Sequence, residues 1–222
     1  MEELTAAFWR EWHRARNVSP DCIPANSCPI PWFGDRNLYQ NSETKVISVG
    51  VNPGPLATLA QPRDAAAMER YCNKYRFDKW FSSWETVLNQ LGASFTKTRY
   101  SQALHTDLSP IMTSEIFSKL EGNVRSHLLE NGVPLLGQLG LFLKPEYVVA
   151  SFKPEYFDKV EKSLGLEVQE PFEGGIAHRC SWTYNGVEIT DKFLWIVKNN
   201  INPVSYTKEV QAEIGQWANE WE

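Results

Sequence analysis

Apolar residues recur along this chain with two periods, and their alternation outlines an α/β domain. Leu4, Phe8 and Trp12 stand four apart within residues 3–16, which predicts an amphipathic helix. A Pro- and Cys-bearing stretch from Val18 to Phe33 carries neither period and reads as irregular. The β-branched run Val46 to Val49 ends abruptly at Gly50 and reads as a buried parallel strand. Helices are predicted near 64–76 and 79–91, the second with Trp80, Trp84, Val87, Leu88 and Leu91 on one apolar face. A second strand is predicted over 101–108, then helices near 113–131 and 133–143, the latter opening on Gly132-Val133-Pro134. A third strand, Glu146 to Ser151, precedes a helix over 154–164. Residues 166–190 read as shorter strands or a hairpin turning at Asn185-Gly186. The fourth main strand is Phe193 to Val197, and a last helix runs from Thr207, a plausible N-cap, to Trp221. Strands alternating with helices imply a three-layer α/β/α sandwich around a mostly parallel four-stranded sheet.

The 222 residues suit one such domain, with residues 1–28 as an N-terminal helical extension. No apolar run reaches the roughly 18 residues of a membrane span, and Met1-Glu2-Glu3-Leu4 does not open a secretory signal. A cytoplasmic location is therefore expected. Cys22, Cys28, Cys72 and Cys180 have separations that fit no common zinc pattern. A net charge of −5 is unfavourable for contacts to phosphate and, if DNA is bound, predicts modest, salt-sensitive affinity. Basic residues do gather at Arg10, Arg14 and Arg16, at Lys97 and Arg99, and at Lys198 and Lys208.

Three islands lie where strands of such a sheet would end, the usual place for a ligand in this architecture. The first is Gly50-Val51-Asn52-Pro53-Gly54-Pro55-Leu56, in which Asn52 is the only polar side chain between Gly50 and Leu56. It either meets a ligand or simply occupies a left-handed turn. The second is Leu104-His105-Thr106-Asp107-Leu108-Ser109-Pro110, and the third Asn199-Asn200-Ile201-Asn202-Pro203-Val204-Ser205. His105 and His178 are far apart and lack carboxylates at ligand spacing, so no metal is expected, and no Ser-His-Asp or phosphate-loop signature is present.

The first island resembles motif A of the uracil-DNA glycosylase superfamily, most nearly the Gly-x-Asn-Pro-Gly form of its mismatch-specific and single-strand-selective branches. Pro29-Ile30-Pro31-Trp32-Phe33-Gly34-Asp35 is similar to the lead-in found upstream of that strand in other members. The resemblance runs in short islands from about Pro29 to the C-terminus. It implies that Asn52 positions the attacking water and that backbone amides near Gly50 and Val51, with Asn202, meet charge on the leaving base. Asn202-Pro203 is similar to the Asn-Pro-Ser motif B of the mismatch-specific branch, with Val204 in place of Ser. Asn can donate a hydrogen bond there but cannot be cationic, so slower catalysis than with His is implied. The loop around Asn200, Pro203 and Ser205 would enter the minor groove, and Lys198, Tyr206 and Lys208 would meet phosphates or the extrahelical gap. Phe77 would stack on the flipped base, while Trp80 fits a core position better. Some branches carry an iron–sulfur cluster on four cysteines, but the scattered spacing here points to free thiols and no cofactor.

Two departures bear on substrate. Where the single-strand-selective branch has Asn-Leu-x-Pro, this chain has Asp107-Leu108-Ser109-Pro110. Asn accepts from uracil N3–H and donates to O4, whereas an ionised Asp only accepts. Against uracil O4 it would cost roughly 1–3 kcal/mol or more. Against the N4 amine of cytosine it finds a donor. Gly54 stands where the uracil-specific branch has the Tyr that blocks pyrimidine C5, so room for a C5 substituent is implied. Together these imply a monofunctional glycosylase, acting as a monomer on DNA, that removes a 5-modified cytosine such as hydroxymethylcytosine or its glucosylated form in phage DNA. No Lys occupies a motif position, so no lyase step is expected. Two alternatives stay open: a uracil or G·T mismatch repair enzyme with Asp107 protonated or displaced, and a catalytically silent nucleic-acid-binding module. Asp107 could also merely cap a turn.

Overall fold

Val46–Gly50 forms strand β1, and all five residues are buried, as expected of a strand covered on both faces. In the computed structural model, which describes residues 2–55, 72, 81–197 and 206–221, β1 lies between β4 (Leu104–Asp107) and β5 (Tyr147–Phe152), parallel to both. The second half of β8 (Val187–Val197) pairs in parallel with β5. These are the four parallel strands that the apolar runs predict. The sheet has six strands rather than four, in the order β4-β1-β5-β8-β7-β6. The added pair, β6 (Leu166–Pro171) and β7 (Ala177–Tyr184), is antiparallel, with β7 beside β8. The turn between β7 and β8 has Asn185 at φ 51° and Gly186 at φ 77°, the left-handed pair that a two-residue hairpin turn requires.

Helices cover both faces of the sheet. Helix α1 (Glu2–Val18) packs on α4 (Gly122–Leu143), which packs on α5 (Pro154–Leu164). The other layer holds α3 (Glu85–Gln90) against α6 (Lys208–Asn219), whose N-cap is Thr207 as expected. A short α2 (Arg36–Gln40) is capped by Asp35, which accepts from Asn37 N at 2.9 Å and Leu38 N at 3.1 Å. The connection after β1 leads toward α3, whereas those after β4 and β5 lead to the α4 and α5 layer, so the loops divide around the end of β1.

Two other expectations are corrected. The strand expected over 101–108 is split, because Ser101–Gln102 (β3) pairs with Ala93–Ser94 (β2) in a separate two-stranded ladder. The two helices expected at 113–131 and 133–143 are one, Gly122–Leu143, with Pro134 inside it and only a 3-10 turn, Phe117–Lys119, upstream. A proline inside a helix costs about 3 kcal/mol. Burial of Leu128, Leu129, Val133, Leu135, Leu136 and Leu139 returns roughly 1.5–3 kcal/mol for each large side chain, so packing overrides the local stop signal. The helix expected at 64–76 lies, apart from Cys72, outside the described residues. Of the face expected over 79–91, Trp84, Val87, Leu88 and Leu91 are all buried.

The sheet edge at β4 is covered by the segment before α2. Ile30 N donates to Pro110 O at 2.7 Å, Phe33 N to His105 O at 2.7 Å and Thr106 Oγ1 to Pro31 O at 2.8 Å. Residues 29–33 thus close the edge that β4 would otherwise expose.

Candidate functional site

Parallel pairing sets Gly50 directly beside Asp107 at the carboxyl ends of β1 and β4. Strand alternation then puts His105 on the same face as Asp107, and Ser48 on the same face as Gly50. A Cβ on Gly50 would lie 2.5 Å from Asp107 Oδ1 and 3.3 Å from the His105 ring. The missing side chain is therefore what lets the carboxylate lie across β1.

Asp107 is only 3% exposed, and among the described residues neither carboxylate oxygen has a hydrogen-bond partner. His105 Nε2 approaches Oδ1 at 3.6 Å, within ion-pair reach but beyond a hydrogen bond. On the other side of that ring, Nδ1 and Ser48 Oγ are 2.6 Å apart. Phe81 meets the His105 ring edge-on at 5.1 Å between centroids, and Phe33, Trp84 and Phe95 stand at 6.0, 5.7 and 6.5 Å. The carboxylate thus projects from an apolar wall in which charge is poorly screened.

The backbone after both strands is stitched together. Leu108 N donates to Gly50 O and Ser109 N to Val51 O, each at 3.0 Å. Helix α4 presses on this segment through Gly132, where a Cβ would lie 2.5 Å from Leu108 O and 2.6 Å from Ser109 Cα. Both obstacles are backbone, so the helix holds the Asp107–Ser109 corner by close approach.

Asn52 is half-buried, and its amide is tied to the loops around it. Nδ2 donates to Ile111 O at 2.5 Å, and Oδ1 accepts from Gly54 N at 2.9 Å. Thr113 Oγ1 is 3.2 Å from the same Oδ1 and 2.7 Å from Glu115 O. One hydroxyl proton serves one of these, and the shorter contact takes it. The amide is fixed in orientation, with one N–H and one lone pair not used by the described residues. Gly54 has φ 65°, and a Cβ there would meet nothing within 4 Å among the described residues.

Tyr206 is partly buried and donates its hydroxyl to Val197 O at 2.9 Å, with burial raising the phenol above its usual range. Lys208 is exposed in the first turn of α6. Phe77, Lys198, Asn200, Asn202, Pro203 and Ser205 lie outside the described residues, as does Trp80. Lys97 and Arg99 lie in the loop between β2 and β3, where both cations stand over the Tyr100 ring. Cys22, Cys28 and Cys180 are free thiols, and burial pushes Cys28 and Cys180 up to about 12. Among the described residues no group of three His, Cys, Asp or Glu side chains is placed to hold a metal ion, and no helix is long and apolar enough to cross a membrane.

Ser48 was the readable signal that the motifs pass over. A hydroxyl inside an otherwise apolar buried strand demands a partner, and His105 supplies it. Thr113 and the Ile111 carbonyl carry no comparable mark in the sequence. No family model matches the chain, and no curated protein matches it.

Proposed function

We propose that this protein is a monofunctional DNA glycosylase that hydrolyses the N-glycosidic bond of a flipped 5-modified cytosine, such as hydroxymethylcytosine or its glucosylated form, and leaves an abasic site. The observation that supports this best is Asp107, nine-tenths buried and more, with both oxygens unpartnered among the described residues, beside Gly50 and the Asn52 loop. A buried carboxylate without donors costs several kcal/mol. A cytosine-type base relieves it, because the N4 amine donates at the position where uracil presents the acceptor O4. Asn52 would hold the attacking water with its remaining lone pair while the glycosidic bond breaks toward an oxocarbenium-like sugar. A neutral amide orients water but is a weak base, so departure of the base carries most of the barrier. Gly50 and Val51 amides and Asn202 would meet charge on that base, Phe77 would stack on it, and Gly54 would leave its C5 side open. Lys198, Asn200, Pro203, Ser205, Tyr206 and Lys208 would form the DNA-facing side.

One observation favours a second reading, a silent nucleic-acid-binding module: the Asn52 amide is already engaged at both ends by the protein's own backbone. Base release from duplex and single-stranded oligonucleotides separates the readings. The substrates carry uracil, G·T, cytosine, 5-hydroxymethylcytosine or its glucosylated form, and alkali reveals abasic sites. Cleavage confined to a modified cytosine, abolished by Asn52→Ala, is the expected result. Cleavage at uracil would restore the repair reading, and none, with DNA affinity unchanged by Asn52→Ala, would leave the binding module.

A further inference from the structure

Helix α1 buries a carboxyl group where it meets α4. Glu11 is 3% exposed. Its Oε2 accepts from the exposed Arg14 at 3.1 Å, and Oε1 lies 3.3 Å from His127 Nε2 across the helix interface. Neither Oε1 nor Nε2 has a hydrogen-bond partner among the described residues. We infer that Glu11 makes α1 a pH-sensitive clamp on the loop that holds Asn52, fastened while the carboxyl is uncharged and loosened when it ionises. The inference goes beyond the chemistry proposed above and does not depend on which base is released.

Two chains of contacts lead from α1 to the site. One runs through α4. Arg14 Nη1 also donates to Asn131 Oδ1 at 3.1 Å, and the next residue, Gly132, presses on the Leu108–Ser109 backbone. The other runs through the segment that follows α1. Trp12 Nε1 donates to Ser27 Oγ at 2.9 Å, and Ser27 Oγ to Pro24 O at 2.7 Å. Within that segment Cys22 O accepts from Ser114 N at 2.8 Å, and Asp21 O from Ser114 Oγ at 3.2 Å. The loop bearing Ser114 is the one that offers Ile111 O to the Asn52 amide and sets Thr113 Oγ1 beside it.

The groups around the buried contact decide its response to pH. Glu11 faces Arg14 from its own helix and His127 from α4, with Glu130 acting on His127. At the foot of α1, Asp21, Glu115 and Glu121 gather around Cys22. An ionised Glu11 sets a negative charge between two helices, and Arg14 offsets it through a contact that water screens. Burial accordingly holds the carboxyl at about 7, against the pull of Arg14. Burial and Arg14 also hold His127 below its ordinary range, so at neutral pH the ring supplies no counter-charge. A carboxyl that titrates at about 7 when docked and 4.5 when released weakens docking by about tenfold between pH 6 and 8.5.

Amide hydrogen exchange of the full chain tests this without a substrate. Protection factors, corrected for the intrinsic pH dependence of exchange, are compared at pH 6 and 8.5 for α1, Ser114 and β5. In the wild type, protection in α1 and at Ser114 should fall by about tenfold while β5 keeps its own. Glu11→Gln should abolish the fall, and Arg14→Gln, which removes the offsetting charge, should enlarge it. Thermal melting shows whether each variant is folded, and Glu11→Gln, uncharged and nearly the same shape, suffices if Arg14→Gln does not fold. A fall in α1 that leaves Ser114 unchanged overturns the link to the Asn52 loop. An equal fall in β5 reduces the effect to global stability and overturns the clamp. Constant protection in the wild type, or a fall that persists in Glu11→Gln, removes Glu11 as the sensitive group.

Discussion

At the scale of single residues, the most consequential side chain is a carboxylate that the fold buries without a hydrogen bond from any described residue. Asp107 is held against Gly50 in an apolar surround, so the folded protein bears a desolvation cost that a ligand donor can relieve. Asp107→Asn replaces the charge with a neutral amide of the same shape and should raise the melting temperature. It should also move the ratio of kcat/KM for uracil over a modified cytosine upward by roughly 10- to 100-fold, since an unpaired polar group costs about 1–3 kcal/mol. Melting curves and paired kinetics check both effects; a fall in melting temperature would mean that the carboxylate has a partner it can lose. Gly50→Ala probes the same contact from the other strand. A Cβ 2.5 Å from Oδ1 must displace the carboxylate, so base selectivity should fall while the strand, whose residues are β-formers, stays paired.

Among the elements, α4 carries two separable interactions. One is its approach to the Leu108–Ser109 backbone at Gly132. Gly132→Ala should destabilise by about 1–3 kcal/mol, the usual cost of overpacking, and lower base release by moving the Asp107 corner; denaturant melts and kinetics read both. The other is its contact with α1, where Glu11 Oε2 accepts from Arg14 at 3.1 Å and Oε1 lies 3.3 Å from His127 Nε2. Burial outweighs the Arg14 charge and raises the Glu11 carboxyl to about 7, while burial and Arg14 hold His127 below its usual range. Between the ordinary value of 4.5 and about 7 the folded state retains a proton that the unfolded chain has released. This contribution is therefore full below 4.5 and is lost as pH rises through 7. Glu11→Gln removes that loss and leaves the opposing His127 contribution in place. Its melting temperature relative to wild type should be near zero difference at pH 5 and clearly higher at pH 8.5. A pH-independent difference would show an ordinary carboxyl. The same helix shows where local signals fail: Gly132 and Pro134 read as a boundary, but Gly132 serves a tertiary contact and Pro134 is carried by the leucines around it.

Over the whole molecule, β1, β5 and the second half of β8 were legible because burial on both faces writes them as largely apolar runs. The joining of β6 to the sheet was not, because only Leu166 of that strand is buried and an exposed edge strand carries no apolar register. The same contrast holds at the site. Gly50, Asn52 and Asp107 were readable as strand-end residues, whereas the engagement of the Asn52 amide and the link from Ser48 to His105 depend on loops and a neighbouring strand that no local pattern encodes. The distribution of charge adds a last expectation. The chain has 22 Lys and Arg against 27 Asp and Glu. Among the described cations, Arg14 is engaged with Glu11 and Asn131, and Arg179 with Glu170 and the Trp217 carbonyl. Lys97 donates to Asn89 Oδ1 and Arg99 to the Tyr100 hydroxyl. The excess of acidic side chains opposes contacts to phosphate. Affinity for an undamaged duplex should therefore fall by about 10- to 100-fold between 50 and 200 mM salt, as for roughly two to four phosphate contacts. Fluorescence anisotropy across that range measures the slope. A steeper slope, equivalent to six contacts or more, would mean that phosphate binding dominates recognition, and a flat one would remove DNA as the ligand of this face.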